Sequence, residues 1–454
     1  MLLRDPVHDL VRFEAEEEEI VPALLDAREV QRLRRIRQLG ATHLVFPGAE
    51  HSRFTHALGA AHVMKRLIGR LREIHEQLPF WQRLASDRAR DALAAALLHD
   101  VGHGPYSHLF EEALPGAPSH ESWSLRIVRD GSTRVHQILA ARDPSLPERV
   151  AQLIAGGKEG ERPYPLPYLA HAVSGTFDVD RCDYLLRDAH MTGVRYGLFD
   201  LDWLLRSLRF GAADGSAAPR FAIDGFKGLP AIEGFLLARR FMFEQVYLHK
   251  ATRAAESLIK SIFARAVALL ADGTLLPQVP EALVCAARGQ PISLDAYLAL
   301  DDVRIGSAFA AWEGVSDPVL ADLCARLLAR RLPKTIDLSL NGDPDQASTH
   351  AVVEEARERA RALGLDPHAH VRLDVAEDAL RIDDELSVIL GEGQNAIRPL
   401  AEVSPMLAQL AAVPLRRVRL IVPVEVRDAM APRHARSAAG APAISSSWNA
   451  RNEA

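Results

Sequence analysis

Apolar positions recur at helical spacing through most of the first 330 residues. Leu24, Leu25, Val30, Leu33 and Ile36 predict a helix over Pro22–Leu39, which Gly40 ends. Ser52 is a good N-cap residue, and a second helix runs from it to about Gln77. A third stretch, Asp87 to His99, is rich in Ala and Leu and apolar on most sides, which predicts a central place in a helical core. Gly102, Gly104 and Pro105 break it abruptly. Further helices are expected at Glu121–Val128, Arg149–Ile154 and Asp178–His190, with a Gly/Pro-rich loop over Gly156–Pro167. At the start, Met1–Leu10 reads as a short extended or turn segment because Pro6 restricts Asp5. The acidic run Glu14–Glu19 reads as a solvated loop or helix edge.

The period changes at Ser207–Ile223. Leu208, Phe210, Phe221 and Ile223 flank Ala-Asp-Gly-Ser, the pattern of a β-hairpin. A long helix from Glu233 to about Leu270 follows. After Pro333, strands are expected at Thr335–Leu338, His370–Val375, Leu386–Leu390 and Val418–Val424, with helices near Ala351–Ala362 and Met406–Ala411. The chain therefore reads as mainly α. A helical core covers residues 1–330 and includes the small hairpin, and a smaller α+β module covers 331–430. The tail 431–454 has no apolar period and is expected to be disordered.

Composition supports a globular chain: of 454 residues, 48% are apolar and 25% charged, which excludes disordered and collagen-like classes. Apolar runs such as Ala92–Leu98 fall far short of the ~20 residues that cross a bilayer. Arg4, Asp5 and Asp9 interrupt any signal-peptide core, so a cytoplasmic protein with no membrane partner is expected. The net charge of −6 argues against nucleic acid as a partner held by the overall field. Cys182, Cys285 and Cys324 are scattered and form neither a disulfide framework nor a metal motif.

Histidine is more informative. His99-Asp100 stands where the apolar helix stops, and there an imidazole nitrogen and a carboxylate oxygen can converge on one ion. His56 and Asp180 are candidates for the remaining ligands. Two imidazoles and two carboxylates leave positions open for water and substrate, as a catalytic metal site requires. A His-Asp pair is more often a simple helix-end hydrogen bond. The glycine-rich break that follows, Val101-Gly102-His103-Gly104-Pro105-Tyr106-Ser107-His108, shifts the balance, because a core segment has no use for that many polar rings.

The order His56, His99-Asp100, Asp180 resembles the HD phosphohydrolase superfamily. Several further motifs resemble its deoxynucleoside triphosphate triphosphohydrolase branch, without the sterile-alpha-motif domain of the vertebrate member. They include Asp5-Pro6-Val7-His8, Gln38-Leu39-Gly40, Val45-Phe46-Pro47-Gly48-Ala49, His51-Ser52-Arg53-Phe54-Thr55-His56, His120-Glu121 and Asp178-Val179-Asp180-Arg181-Cys182-Asp183-Tyr184. The resemblance implies a helical, metal-dependent enzyme that hydrolyses a dNTP at its α-phosphate, releasing deoxynucleoside and inorganic triphosphate. His56, His99, Asp100 and Asp180 match metal ligands, for Mn, Fe, Zn or Ni, with Mg bridging the phosphates. His103 and His120 match histidines at the scissile bond, and Glu111 stands where an aspartate is usual. Arg53, His108, Arg181, Tyr184 and Arg239 match residues around the nucleotide. Gln38, Leu39, Asp188 and Tyr247 match the sugar surroundings, while Phe243 departs from a histidine. Asp26 and Arg34 match positions that bind a GTP or dNTP effector between subunits, so a homo-oligomer, a tetramer, is expected. The rival expectations are a nucleotidase or single-strand nuclease, and a catalytically silent nucleotide sensor.

Overall fold

The computed structural model describes residues 1–114, 117–158, 160–211, 220–339, 345–378, 386–391 and 397–430. Three helices form the centre. Arg53–Ile74 starts after Ser52, as expected, and packs against Ser86–Leu98 and Val179–Thr192. Ser86–Leu98 lies between neighbours because it is apolar nearly all round: Ala92 through Leu98 are at most 1% exposed. Asp178 caps Val179–Thr192, its side chain accepting from the Arg181 amide. Leu146–Ala155 and His120–Arg129 enclose the other side. The mainly helical expectation holds.

Three expected elements differ. Pro22–Leu39 is not one helix. It divides into Ile20–Leu25, Arg28–Arg32 and a 3-10 turn Leu33–Arg35, and Ile36 is extended. The extension lets the Arg37 amide donate to Asp302 at 2.9 Å and lets Arg37 bridge Ser52. The acidic run is half-buried rather than solvated. Glu18 accepts from Lys65 at 2.9 Å and from the Glu14 amide, and Glu17 accepts from Arg72 at 2.6 Å. The expected helix Glu233–Leu270 is interrupted: Gly225–Met242 passes into a π turn, Phe243–Tyr247, and a new helix Lys250–Ala271 begins after His249.

The first ten residues form part of an antiparallel pair, β1 (Leu2–Asp5) with β2 (Asp9–Arg12). The expected hairpin is β3 (Leu208–Gly211) with β4 (Arg220–Asp224), in the register Phe210 opposite Phe221, and its turn lies outside the described residues. Further strands are β5 (Lys334–Asp337), β6 (Arg372–Asp378), β7 (Ser387–Ile389), β8 (Ile397–Pro399) and β9 (Leu415–Val422). β7 pairs in parallel with β4 and antiparallel with β8, so the segments 386–391 and 397–407 join the main core through Leu386, Val388, Leu400 and Leu407. β5, β9 and β6 make a separate antiparallel sheet in that order. Helix Gln346–Ala362 covers it with Val353, Ala356 and Ala360, which pack on Leu420 and Val422. The tail 431–454 lies outside the described residues.

Candidate metal and nucleotide site

The first turn of Arg53–Ile74 presents Arg53 and His56, His99 caps the end of Ser86–Leu98 with Asp100 next to it, and Asp180 opens Val179–Thr192. These elements bring the four sequence-predicted ligand positions together. His56 Nε2 is 3.0 Å from Asp180 Oδ1 and 3.3 Å from His99 Nε2. His99 Nε2 is 3.4 Å from Asp180 Oδ1 and 3.5 Å from Asp100 Oδ1. The opposite ring nitrogens are committed elsewhere: His56 Nδ1 faces Asp183 Oδ2 at 2.8 Å, and His99 Nδ1 faces the Ala96 carbonyl at 2.9 Å. Both acceptors place the ring proton on Nδ1, so both Nε2 lone pairs point at one spot beside two carboxylates.

Such a group attracts positive charge. Burial opposes a proton on His56, but the hydrogen bonds to Asp180 and Asp183 outweigh it and carry the ring to about 10; His99 is likewise raised to about 9. Burial would raise Asp100 and Asp180, yet neighbouring histidines, joined by Arg53 at Asp100, hold them well below the usual carboxylate range. With neutral imidazoles the four groups carry two negative charges at the floor of an open cavity, with His56 fully buried and Asp180 partly exposed. Mixed nitrogen and oxygen donors in that arrangement fit a divalent cation.

Behind His56 lies a buried ionic network. Asp183 accepts from His8 at 2.7 Å and from Arg187 through two 2.9 Å bonds, and Arg187 reaches back to Asp5 at 2.8 and 3.2 Å. Asp5 in turn accepts from the Val7 and His8 amides. A Cβ at residue 59 would come within 1.9 Å of Asp183 Oδ1, so this turn of the helix needs glycine. Sequence reasoning gave these residues no role, although Asp180, Asp183 and Arg187 recur at i, i+3, i+7 on one helix face.

The opposite wall is a histidine pair. His103 stacks on His120 with centroids 3.8 Å apart, and His103 Nε2 lies 3.3 Å from Asp100 Oδ1. Glu111 Oε1 holds His120 Nδ1 at 2.9 Å, so the longer acid reaches its expected partner. Burial, reinforced by Arg53, drops His103 far below its ordinary value and keeps the ring neutral. Gly102 permits this approach, because a Cβ there would meet the His120 carbonyl and the Ser124 amide at 2.2 Å. Arg53 is held by Asp100 and by Ser107 Oγ at 2.8 Å.

A cavity of about 510 Å³ opens from this group. Gln38, Leu39, Arg53, Tyr184, Asp188 and Tyr247, all named by the sequence as candidates, are among the residues that line it. Tyr247 donates to Asp188 Oδ2 at 2.7 Å, and His51 holds the other oxygen at 2.8 Å. Two expected phosphate-binding residues are not among those that line the cavity. Arg181 turns back to Asp178 and the Gly175 carbonyl, and Arg239 stacks over Phe243, 4.8 Å from its centroid, leaving Phe243 to face the cavity. Asp26 and Arg34 are exposed and away from the cavity, with the Arg34 guanidinium on the Phe54 ring. His108 opens helix His108–Ala113, and its side chain lies outside what the structure describes. Glu112, Arg253 and Glu256 also line the cavity, and no sequence motif singled them out.

The fold and this His/Asp group are those of a metal-dependent HD-type phosphohydrolase. The HD domain family matches residues 53–187, and the chain belongs to that family. It is 35% identical over 380 residues to the uncharacterized protein YwfO of Bacillus subtilis, covering 83% of this chain and 80% of that one. It is 30% identical over 293 residues to the deoxynucleoside triphosphate triphosphohydrolase SAMHD1 of Gallus gallus, covering 58% of this chain and 45% of that protein. The crystal structure of a phosphohydrolase from Bacteroides thetaiotaomicron superposes with a TM-score of 0.76 at 28% identity, covering 93% of this chain and 99% of that one. Among the described residues no helix is long and apolar enough to cross a membrane.

Proposed function

We propose that this protein hydrolyses deoxynucleoside triphosphates to deoxynucleoside and inorganic triphosphate. The observation that carries the reading is that three groups meet at one cavity, which Asp100, Asp180, His103, His120, Asp188 and Tyr247 line: His56, His99 and Asp180 with Asp100 beside them, the His103–His120 stack, and the Tyr247–Asp188–His51 chain. His56, His99, Asp100 and Asp180 would hold a divalent cation, whether Mn, Fe, Zn or Ni, which would supply charge toward the α-phosphate and acidity to a water. Neutral His103 accepts or orients the water's proton. His120, aligned by Glu111, protonates the leaving 5′ oxygen. Arg53 arrives pre-oriented toward phosphate. Gln38 and Asp188 bind the 3′-hydroxyl, and Tyr247, fixed by its bond to Asp188, crowds out a 2′-hydroxyl. An apolar wall alone rejects an added hydroxyl by only ~10², so the polar contacts matter.

Incubation with each dNTP and each metal, parent against a His99→Ala/Asp100→Ala variant, tests this. Inorganic triphosphate from the parent alone is the expected product. Pyrophosphate, phosphate, shortened strands, or nucleotide binding without turnover in any metal would refute it. The exposed Asp26 and Arg34 extend the reading to a nucleotide effector bound between subunits of a tetramer. Titrating GTP or dGTP while following turnover and oligomer size tests that extension, and no change in either sinks it.

A further inference from the structure

The wall of the cavity that carries Tyr247, Leu248 and Arg253 is a junction between two helices, and a π turn precedes it. Junctions of this kind leave carbonyls without helical partners. The one at Leu248 is supplied from far along the chain: Arg419 of β9 donates to the Leu248 carbonyl at 2.7 Å, in a buried position. One turn on, Arg253 is gripped by Asp374 of β6 through its Nε at 3.2 Å and its Nη2 at 2.5 Å, and its Nη1 reaches Glu256 at 2.6 Å. Between these polar contacts Leu248 packs on Ala376 and Leu415 in a small apolar cluster of its own. Three independent contacts therefore join the β5–β9–β6 sheet to the same short segment. All of them lie outside the HD match.

We propose that Asp374 and Arg419 are positioning residues for the substrate cavity. The sheet holds the 247–253 segment in place, and through it the Tyr247 ring that packs against the sugar; this deepens, and rests on, the reading given under Proposed function. Asp374 and Arg419 do not line the cavity themselves. Their loss therefore weakens binding and sugar discrimination and leaves the chemical step alone.

The test compares the full-length parent with Asp374→Asn, Asp374→Glu and Arg419→Lys. Asp374→Asn keeps the shape and removes the charge, and Arg419→Lys keeps the charge and shortens the reach. Amide hydrogen exchange over residues 243–256, measured without nucleotide, is expected to rise in Asp374→Asn and Arg419→Lys. KM for dNTPs is expected to rise about tenfold in both, the size of coupling usual for neighbours in one network. With kcat within about twofold of the parent, the preference for dNTP over rNTP narrows and Asp374→Glu restores much of it. A KM at the parental value overturns the proposal, whatever the exchange shows. So does a fall in kcat at unchanged KM, which is the mark of less folded protein. A parent that releases no triphosphate from any dNTP refutes the underlying reading instead, and exchange over 243–256 then decides alone whether the sheet holds the wall.

Discussion

Replacing Asp5 by Asn removes one charge from the network behind His56 and changes little else. The amide oxygen can still accept from the Val7 and His8 backbone as Asp5 does. Asp5 and Arg187 are 2% and 1% exposed, so water does not compensate. Breaking a buried ion pair outright costs about 3–5 kcal/mol. Arg187 keeps its two 2.9 Å bonds to Asp183, so the loss is nearer that of one charge-assisted bond, about 1.5–3 kcal/mol. A domain with the usual ~5–15 kcal/mol of stability survives that. Arg187 then draws more on Asp183, which polarises His56 less, and a change in such an outer contact typically costs about 10–100-fold in metal affinity. Urea unfolding of the metal-free proteins measures the first effect, and titration of Mn or Zn against a chelator measures the second. A stability change below about 0.5 kcal/mol would show that the Asp5–Arg187 pair does not hold the β1–β2 strands to the core. A loss of stability with unaltered metal affinity would refute the coupling from Asp5 to His56.

Other outcomes follow from the same geometry. Glu111→Gln removes the charge that aligns His120 and is expected to lower kcat about 10²-fold at constant KM, read in steady-state kinetics. Gly59→Ala drives a Cβ against Asp183 and is expected to cost about 1–3 kcal/mol in thermal or urea melts, with metal content falling in parallel. Burial, with His8, Arg66 and Lys65 nearby, depresses His62 to about 4. Below pH 6.5 the unfolded chain then takes up a proton that the fold refuses. This part of the stability is therefore lost as pH falls from about 6.5 toward 4, and His62→Gln should lessen the fall in melting temperature over that window, with no lessening counting against the assignment.

The ligand helices are legible in the sequence because local and tertiary signals agree there. Ala92–Leu98 is apolar on every side and ends at His99-Asp100, while Ser52 and Asp178 mark helix starts that the packing keeps. Where the two signals disagree, the reading fails. Nothing local in Pro22–Leu39 announces that the Arg37 amide will bond Asp302, 265 positions away, just after Ile36 has turned extended. Glu233–Leu270 has helical composition throughout, yet its break at Leu248 is paired with Arg419. Arg181 and Arg239 are basic residues beside the site, but Arg181 pairs with Asp178 and Arg239 stacks on Phe243, which spacing alone does not reveal. Asp183 is one more acid on a charged helix until His8 and Arg187 meet it.

The parallel pairing of β4 with β7 has a consequence for synthesis. Residues 222–224 leave the ribosome well before the strand that completes their sheet, Ser387–Ile389, has been made. Throughout that interval the nascent chain carries an unfinished sheet margin, the kind of surface on which incomplete chains adhere to one another. Conditions that slow elongation after residue 224 should therefore lower the yield of soluble protein, and early engagement by a chaperone should raise it.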